Sequence, residues 1–227
     1  MINIFGYECN EESLYNSEVL SCFYKEIAKT PHEIGLLHNL KTLTLRNIRL
    51  ITISTELGNL TNLENLYLMD NKLTQLPSEL GNLYNLKSLN LNDNELIQLP
   101  SELGNLYNLK SLNLNANKLT QLPSELGNLC KLEELDLAEN QLTKIPEKFG
   151  DLTKLQDLLL GGNLLTQIPS ELGQLCNLTR LFLSRNKLEK LPTELGNLQQ
   201  LRTVSLYDNI ELIKVLRCIF KNDIYIM

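Results

Sequence analysis

Glutamates recur at Glu56, Glu79, Glu102, Glu125, Glu171 and Glu194, with Lys148 standing where one more would fall. Paired carboxylates are what general acid and base chemistry needs. The constant 23-residue interval instead puts one carboxylate on each repeating unit, which makes a solvated row rather than a pair. The two histidines, His32 and His38, are six apart near the N-terminus and build neither a metal-binding set nor a Ser-His-Asp arrangement. Five cysteines (Cys9, Cys22, Cys130, Cys176, Cys218) contain no CxxC pair and read as free thiols of a reducing compartment. Cys130 and Cys176 share a position in units two apart, about 10 Å at strand spacing, too far for a disulfide, which needs Cα atoms within about 7 Å. Gly161 and Gly162 lie inside a repeating unit, and no GxxxxGK[ST] loop or GxGxxG fingerprint occurs. The chemistry-bearing residues therefore imply no catalysis, no metal and no cofactor.

Charge and composition narrow the class further. A formal net charge of -6 is the wrong sign for a domain that grips a nucleic-acid backbone or an anionic membrane. With 43% hydrophobic and 21% charged residues the chain is apolar enough to fold, yet it holds no Trp and only 6% aromatics, so leucine is reused as the core residue. No stretch is long and apolar enough to span a bilayer. Residues 210–227 come closest, but Glu211, Lys214, Arg217, Lys221 and Asp223 interrupt them. Residues 1–16 carry Glu8, Glu11 and Glu12 and lack a basic stretch leading into an apolar one, so they do not read as a signal peptide. A cytoplasmic location is expected; delivery into a host cell is not readable from the sequence.

The elements that position these residues come from a repeat. Leu40, Leu63, Leu86, Leu109, Leu132, Leu155, Leu178 and Leu201 open eight units of 23 residues. Six units match LxxLxLxxNxL in full; the first has Ile48 in place of asparagine, and the last has Val204 and then loses register. The units from Leu76 and Leu99 differ only at Asp93/Ala116, Glu95/Lys118 and Ile97/Thr120, which points to a recent duplication. Period-two alternation makes LxL a short strand, with Leu66 and Leu68 facing the core and Tyr67 and Met69 facing out. The asparagine column, from Asn71 to Asn209, follows the strand and supplies amides for buried backbone groups. In the linker PSELG, proline is expected at the first helical position, glutamate near a helix N-terminus, and glycine in a left-handed conformation at the end. One helical turn per unit is wider than a strand, so the stack should curve with its strands on the concave side.

These motifs, LxxLxLxxNxL in phase with LPxELGNL, resemble the intracellular 23-residue type of leucine-rich repeat protein over residues 40–209. The resemblance implies an α/β solenoid, a horseshoe with a concave parallel β-sheet and short helical turns on the convex side. It also implies a non-catalytic adaptor, scaffold or inhibitor that binds a partner protein, a small GTPase or signalling protein among the candidates. Substrate recognition in an effector or ubiquitin-ligase system, and self-assembly, stay open as alternatives, with a monomer as the expected state. Residues 1–39 are expected to form an N-terminal cap with a degenerate repeat, in which Leu20 and Cys22 take the strand leucine positions and Lys25 replaces asparagine. Residues 210–227 are expected to form a C-terminal cap or tail, because Leu212, Ile213, Leu216, Ile219 and Phe220 have helical spacing.

Function should sit on the positions the repeat leaves free. One outward column reads Thr44, Tyr67, Asn90, Asn113, Asp136, Leu159, Phe182, Ser205, and the next Arg46, Met69, Asn92, Asn115, Ala138, Gly161, Ser184, Tyr207. The middle is small and polar. Towards the C-terminus Leu159, Phe182 and Tyr207 gather within a rim of Asp136, Asp157, Arg180 and Arg185, the composition of an interface centre. Gly161 and Gly162 are expected to leave a depression beside Leu159. Arg46, Tyr67 and Met69 form a second, smaller patch.

Overall fold

The structure, a computed structural model, describes residues 2–4, 7–9, 15–209 and 225–226. The strands are β1 (Ile2–Ile4), β2 (Tyr7–Cys9), β3 (Val19–Phe23), β4 (Thr42–Arg46), β5 (Asn65–Tyr67), β6 (Ser88–Asn90), β7 (Ser111–Asn113), β8 (Glu134–Asp136), β9 (Asp157–Leu159), β10 (Arg180–Phe182), β11 (Thr203–Ser205) and β12 (Tyr225–Ile226). β1 and β2 pair antiparallel as a separate two-stranded sheet. The others form one parallel ten-stranded sheet in simple chain order, each strand one coil after its neighbour. Register is kept at 23 residues, as in Leu66↔Leu89↔Leu112↔Leu135. After each strand from β3 to β10 comes a five-residue 3-10 turn on the opposite wall, such as Ser78–Asn82. The expected solenoid and horseshoe are present.

Leucines from both walls fill the space between them; Leu66, Leu68, Leu89, Leu112, Leu135, Leu158 and Leu181 are all buried. Such a core leaves turn backbone groups without water, and the asparagine column serves them. Asn117 donates to the carbonyls of Leu91 (3.0 Å) and Leu114 (3.1 Å), while its Oδ1 accepts from the N–H of Leu96 at 3.0 Å. A second column does similar work at the strand entry: Asn62, Asn85 and Asn108 donate to the carbonyls of His38, Thr61 and Tyr84 one coil earlier.

The PSELG linker works differently from the sequence expectation. Proline is not the first helical residue but precedes the turn, extended, as at Pro77 with φ -70 and ψ 145. Its glycines do not take positive φ; among the described glycines the left-handed value belongs to Gly162. They are required by close approach. A Cβ at Gly35, Gly58, Gly81, Gly104, Gly127, Gly150 or Gly173 would stand 2.4–2.6 Å from a carbonyl oxygen of the following coil. The left-handed position is one residue before the asparagine column, occupied by Asn47, Asp70, Asp93, Ala116, Glu139, Gly162, Arg185 and Asp208. Tyr24 takes the same conformation after β3, and β3 pairs in register with β4. Cys22 is buried there and Leu20 packs partly against the core. The helical spacing noted at Leu212 to Phe220 lies outside the described residues.

Candidate interaction surface

The sheet's open face divides by what its side chains are bonded to. In the middle, Asn90, Asn113 and Asp136 each turn Oδ1 back onto the N–H two residues on: Asn92 at 3.0 Å, Asn115 at 2.9 Å and Ala138 at 3.0 Å. Asp136 is thus tied to its own backbone rather than presented as a free rim charge. Burial pushes its carboxyl above the ordinary aspartate range, opposed by hydrogen bonds from Ala138 and Asn115.

Towards the C-terminal end, Leu159 and Phe182 face each other across β9 and β10, both half-buried. Tyr207 lies two residues beyond Ser205, the partner of Phe182, and is 59% exposed. The buried hydroxyls of Ser184 and Ser205 bond to each other between them. Asp157 is buried and held by both arms of the Arg180 guanidinium, Nη2 to Oδ2 at 2.6 Å and Nε to Oδ1. Arg185 reaches back two coils to Glu139, Nη1 to Oε1 at 2.7 Å. That contact corrects one expectation. Glu139 fills the space over Gly162, where a Cβ would come within 2.6 Å of its Oε1, so only the Gly161 side is open. The structure brings Asp157, Leu159, Arg180 and Phe182 together on β9 and β10, with Tyr207 just past β11 and Arg185 committed across Gly162.

At the other end Arg46 pairs with Asp70 at 2.7 Å beside half-buried Tyr67 and Met69. The sequence reading missed what adjoins them. Val19 (62% exposed), Phe23 (45%) and Tyr24 (79%) make this the more exposed apolar end. The signal was available, since Val19, Ser21 and Phe23 are the outward positions of a strand whose inward ones, Leu20 and Cys22, had been recognised.

Among the described residues no group of His, Cys, Asp and Glu could hold a metal ion, and no helix is long and apolar enough to cross a membrane. Cys22, Cys130 and Cys176 are free thiols, and burial raises the pKa of Cys22. The recurring glutamates lie on the convex turns, bonded where they are bonded at all to a hydroxyl one or two residues earlier, as Ser78 to Glu79 and Ser54 to Glu56.

Comparison with known proteins agrees with this architecture. A family profile described as a leucine-rich repeat region matches residues 101–215, and one described as a leucine rich repeat matches residues 61–119. A leucine-rich repeat protein of Leptospira interrogans is 41% identical with a TM-score of 0.77, over 80% of this chain and 46% of that one. An internalin (inlF) of Listeria monocytogenes is 27% identical with a TM-score of 0.74, over 87% of this chain and 56% of the internalin. The leucine-rich repeat domain of the type III effector XopL shares the fold at 24% identity, with a TM-score of 0.82 over 95% of this chain and 78% of that domain. The chain thus spans 46% and 56%, about half, of the Leptospira and Listeria proteins. No curated protein matches it. Leucine-rich repeats are a general protein-interaction module, in keeping with a sheet whose framework columns serve the fold and whose outward columns vary. Since one repeat profile alone takes in half the chain, and the coils before it keep the same strand pairing and asparagine bonds, the chain belongs to the leucine-rich repeat family.

Proposed function

We propose that this protein is a non-catalytic module that holds a partner protein against the C-terminal part of its concave face. One observation carries the reading. Outward side chains that are bonded to their own backbone through β6 to β8 give way to Leu159 on β9, Phe182 on β10 and Tyr207 just past β11, groups that no internal side-chain bond requires. Half-buried Phe182 and exposed Tyr207 are the anchors, because aromatic side chains offer large area at low entropic cost. Arg180 and Arg185, already aligned by Asp157 and Glu139, orient the partner. Both ion pairs are internally neutral, so they favour a polar rim over a strongly charged ligand.

A reducing, cytoplasmic setting suits the free, exposed thiols of Cys130 and Cys176. Whether the partner is a signalling protein such as a small GTPase, or a substrate presented to an effector or ligase domain, is a matter of what the patch selects. The test compares proteins retained by the parent chain and by F182A/Y207A, with F23A/Y24A as the control at the opposite end. A partner lost with F182A/Y207A and kept by F23A/Y24A is the expected result. A partner that both variants retain, or that only F23A/Y24A loses, overturns the assignment.

A further inference from the structure

Tyr84 and Tyr107 lie outside the concave face, on the flank where the chain turns into β6 and β7, at the same position of successive coils. Their rings stack, with centroids 6.1 Å apart and planes inclined by 17°, and both are exposed, at 42% and 49%. The repeat does not require them, since the same position holds Thr61 in the coil before and Cys130, Thr153 and Cys176 in the coils after. Thr61 and Cys130 are exposed and small, so no third ring of the column covers either end of the stack. Lysines surround the pair. Lys87 and Lys110 come three residues after the two tyrosines, and the bond from the Lys110 N–H to the Lys87 carbonyl (2.8 Å) sets them side by side. Along this column each lysine has its own acid: Lys41 pairs with Glu18, Lys87 with Glu64 and Lys110 with Glu133. Lys87 and Lys110 are therefore drawn to opposite sides, and between them two like charges face each other, an unfavourable arrangement. Lys131 adds a third cation. Its Nζ reaches back one coil to Oδ1 of Asn108, beside Tyr107, at 2.7 Å, and that amide leaves its charge uncompensated.

We propose that this flank is a second interaction surface, which takes an acidic segment of a partner protein that carries an aromatic side chain. The ring lies over Cys130 against the outer face of Tyr107, as the third member of the stack. Carboxylates on either side of it meet Lys131 and enter the gap between Lys87 and Lys110. Charge complementarity selects this occupant. The chain carries a net charge of -6, so an acidic segment is turned away from most of its surface and held only where cations outnumber carboxylates. A basic segment could stack on the tyrosines equally well, but it would meet three ammonium groups. Aromatic stacking contributes beyond the area it buries, by roughly tenfold in affinity at most. The cations are exposed, so their share is screened by salt and the affinity is modest. Because the flank does not overlap the concave face, the module can hold this segment and a partner on the C-terminal patch at once.

The experiment titrates the acetylated and amidated peptide EEWEE with the full chain. The protein contains no tryptophan, so indole emission reports the peptide alone. A saturable emission change is expected, weakened by salt and absent with the peptide KKWKK. Y84S/Y107S should lower the affinity by about tenfold. K131Q keeps a donor for Asn108 but loses the charge, and should lower it by about threefold. C130Y supplies the third ring from the chain itself and should shut the peptide out. F182A/Y207A should bind it as the parent does, which separates this surface from the concave patch. Circular dichroism checks that each variant folds, and if Y84S/Y107S does not, C130Y and K131Q decide. A parent that gives no saturable change, or that binds KKWKK as well as EEWEE, overturns the proposal. So does parent-like binding by folded C130Y, or loss of binding in F182A/Y207A, which would put the peptide on the concave face.

Discussion

The middle of the concave face and its two ends are built on the same coil, yet their outward side chains do opposite things. β6 and β7 come from two nearly identical units, and their Asn90 and Asn113 spend their acceptors on the backbone two residues on. At the ends, Phe23, Tyr24, Tyr67, Leu159, Phe182 and Tyr207 do nothing comparable for the coils that carry them. A side chain with an internal partner stabilises its repeat, and one without is free to serve an external partner. In this molecule the free ones gather at the ends.

The contrast can be tested by substitution. The largest effect should come from Asn117→Ala beneath the middle, which orphans the buried N–H of Leu96 and takes one of two amide donors from the carbonyls of Leu91 and Leu114, leaving them Asn94 and Asn140. It should cost about 3 kcal/mol in denaturant unfolding. A loss as small as that of a surface change would mean water enters the turn and the framework is less rigid than described. Next is Arg180→Ala, which strips a buried carboxylate of its partner. With the guanidinium partly exposed and screened, about 1 kcal/mol is expected. Adding Asp157→Asn to Arg180→Ala should recover part of that loss. If the pair of changes merely adds, the ion pair is not what holds Asp157.

The smallest is Asp136→Asn, which gives β8 the same outward residue as β6 and β7. Burial raises the folded carboxyl above its unfolded pKa, so the native state binds the proton more tightly. Stability from this group is therefore highest in acid and declines as pH rises through the raised folded pKa. Asparagine keeps the acceptor for Ala138 without the charge. The variant should melt slightly higher than the parent at neutral pH, with the gap closing as pH falls to the ordinary aspartate range. A gap that widens in acid would show that the carboxylate is a favourable member of the face after all.

The leucine and asparagine columns were legible because each position recurs at a fixed interval and has one physical role, burial or backbone pairing. The glycines of PSELG were read for the wrong property. Conformational freedom is a local attribute that sequence suggests readily, whereas their contact is with the next coil and becomes visible only once the coils are stacked. The left-handed column was hidden by the variety of its residues, since the strain at Ala116, Glu139 and Arg185 is borne by the bonds around them rather than relieved by residue type. Gly162 looked like a hollow because the sequence does not show Glu139 and Arg185 reaching across it from either side. Of the candidate site, the apolar members at the C-terminal end were legible from alternation alone. Val19 and Phe23 were legible by the same alternation, from inward Leu20 and Cys22, but the outward columns were followed only from Thr44 and Arg46 and so stopped one coil short of them.

The framework asparagines bond within their own coil and 21 to 26 residues back, that is, to the adjacent coil and no further. A whole unit can therefore be copied or lost with its seams resealing themselves, as the near-identical neighbours from Leu76 and Leu99 record. The reach of such a molecule evolves in whole coils, each adding about one strand spacing of 4.8 Å, without new core residues having to arise. The Arg185–Glu139 bridge spans 46 residues and breaks that freedom. Removing the coil between them would separate neither residue from the chain yet would abolish the gap in which they meet. Those three coils are thus expected to be inherited together, as a cassette inside an otherwise expandable array.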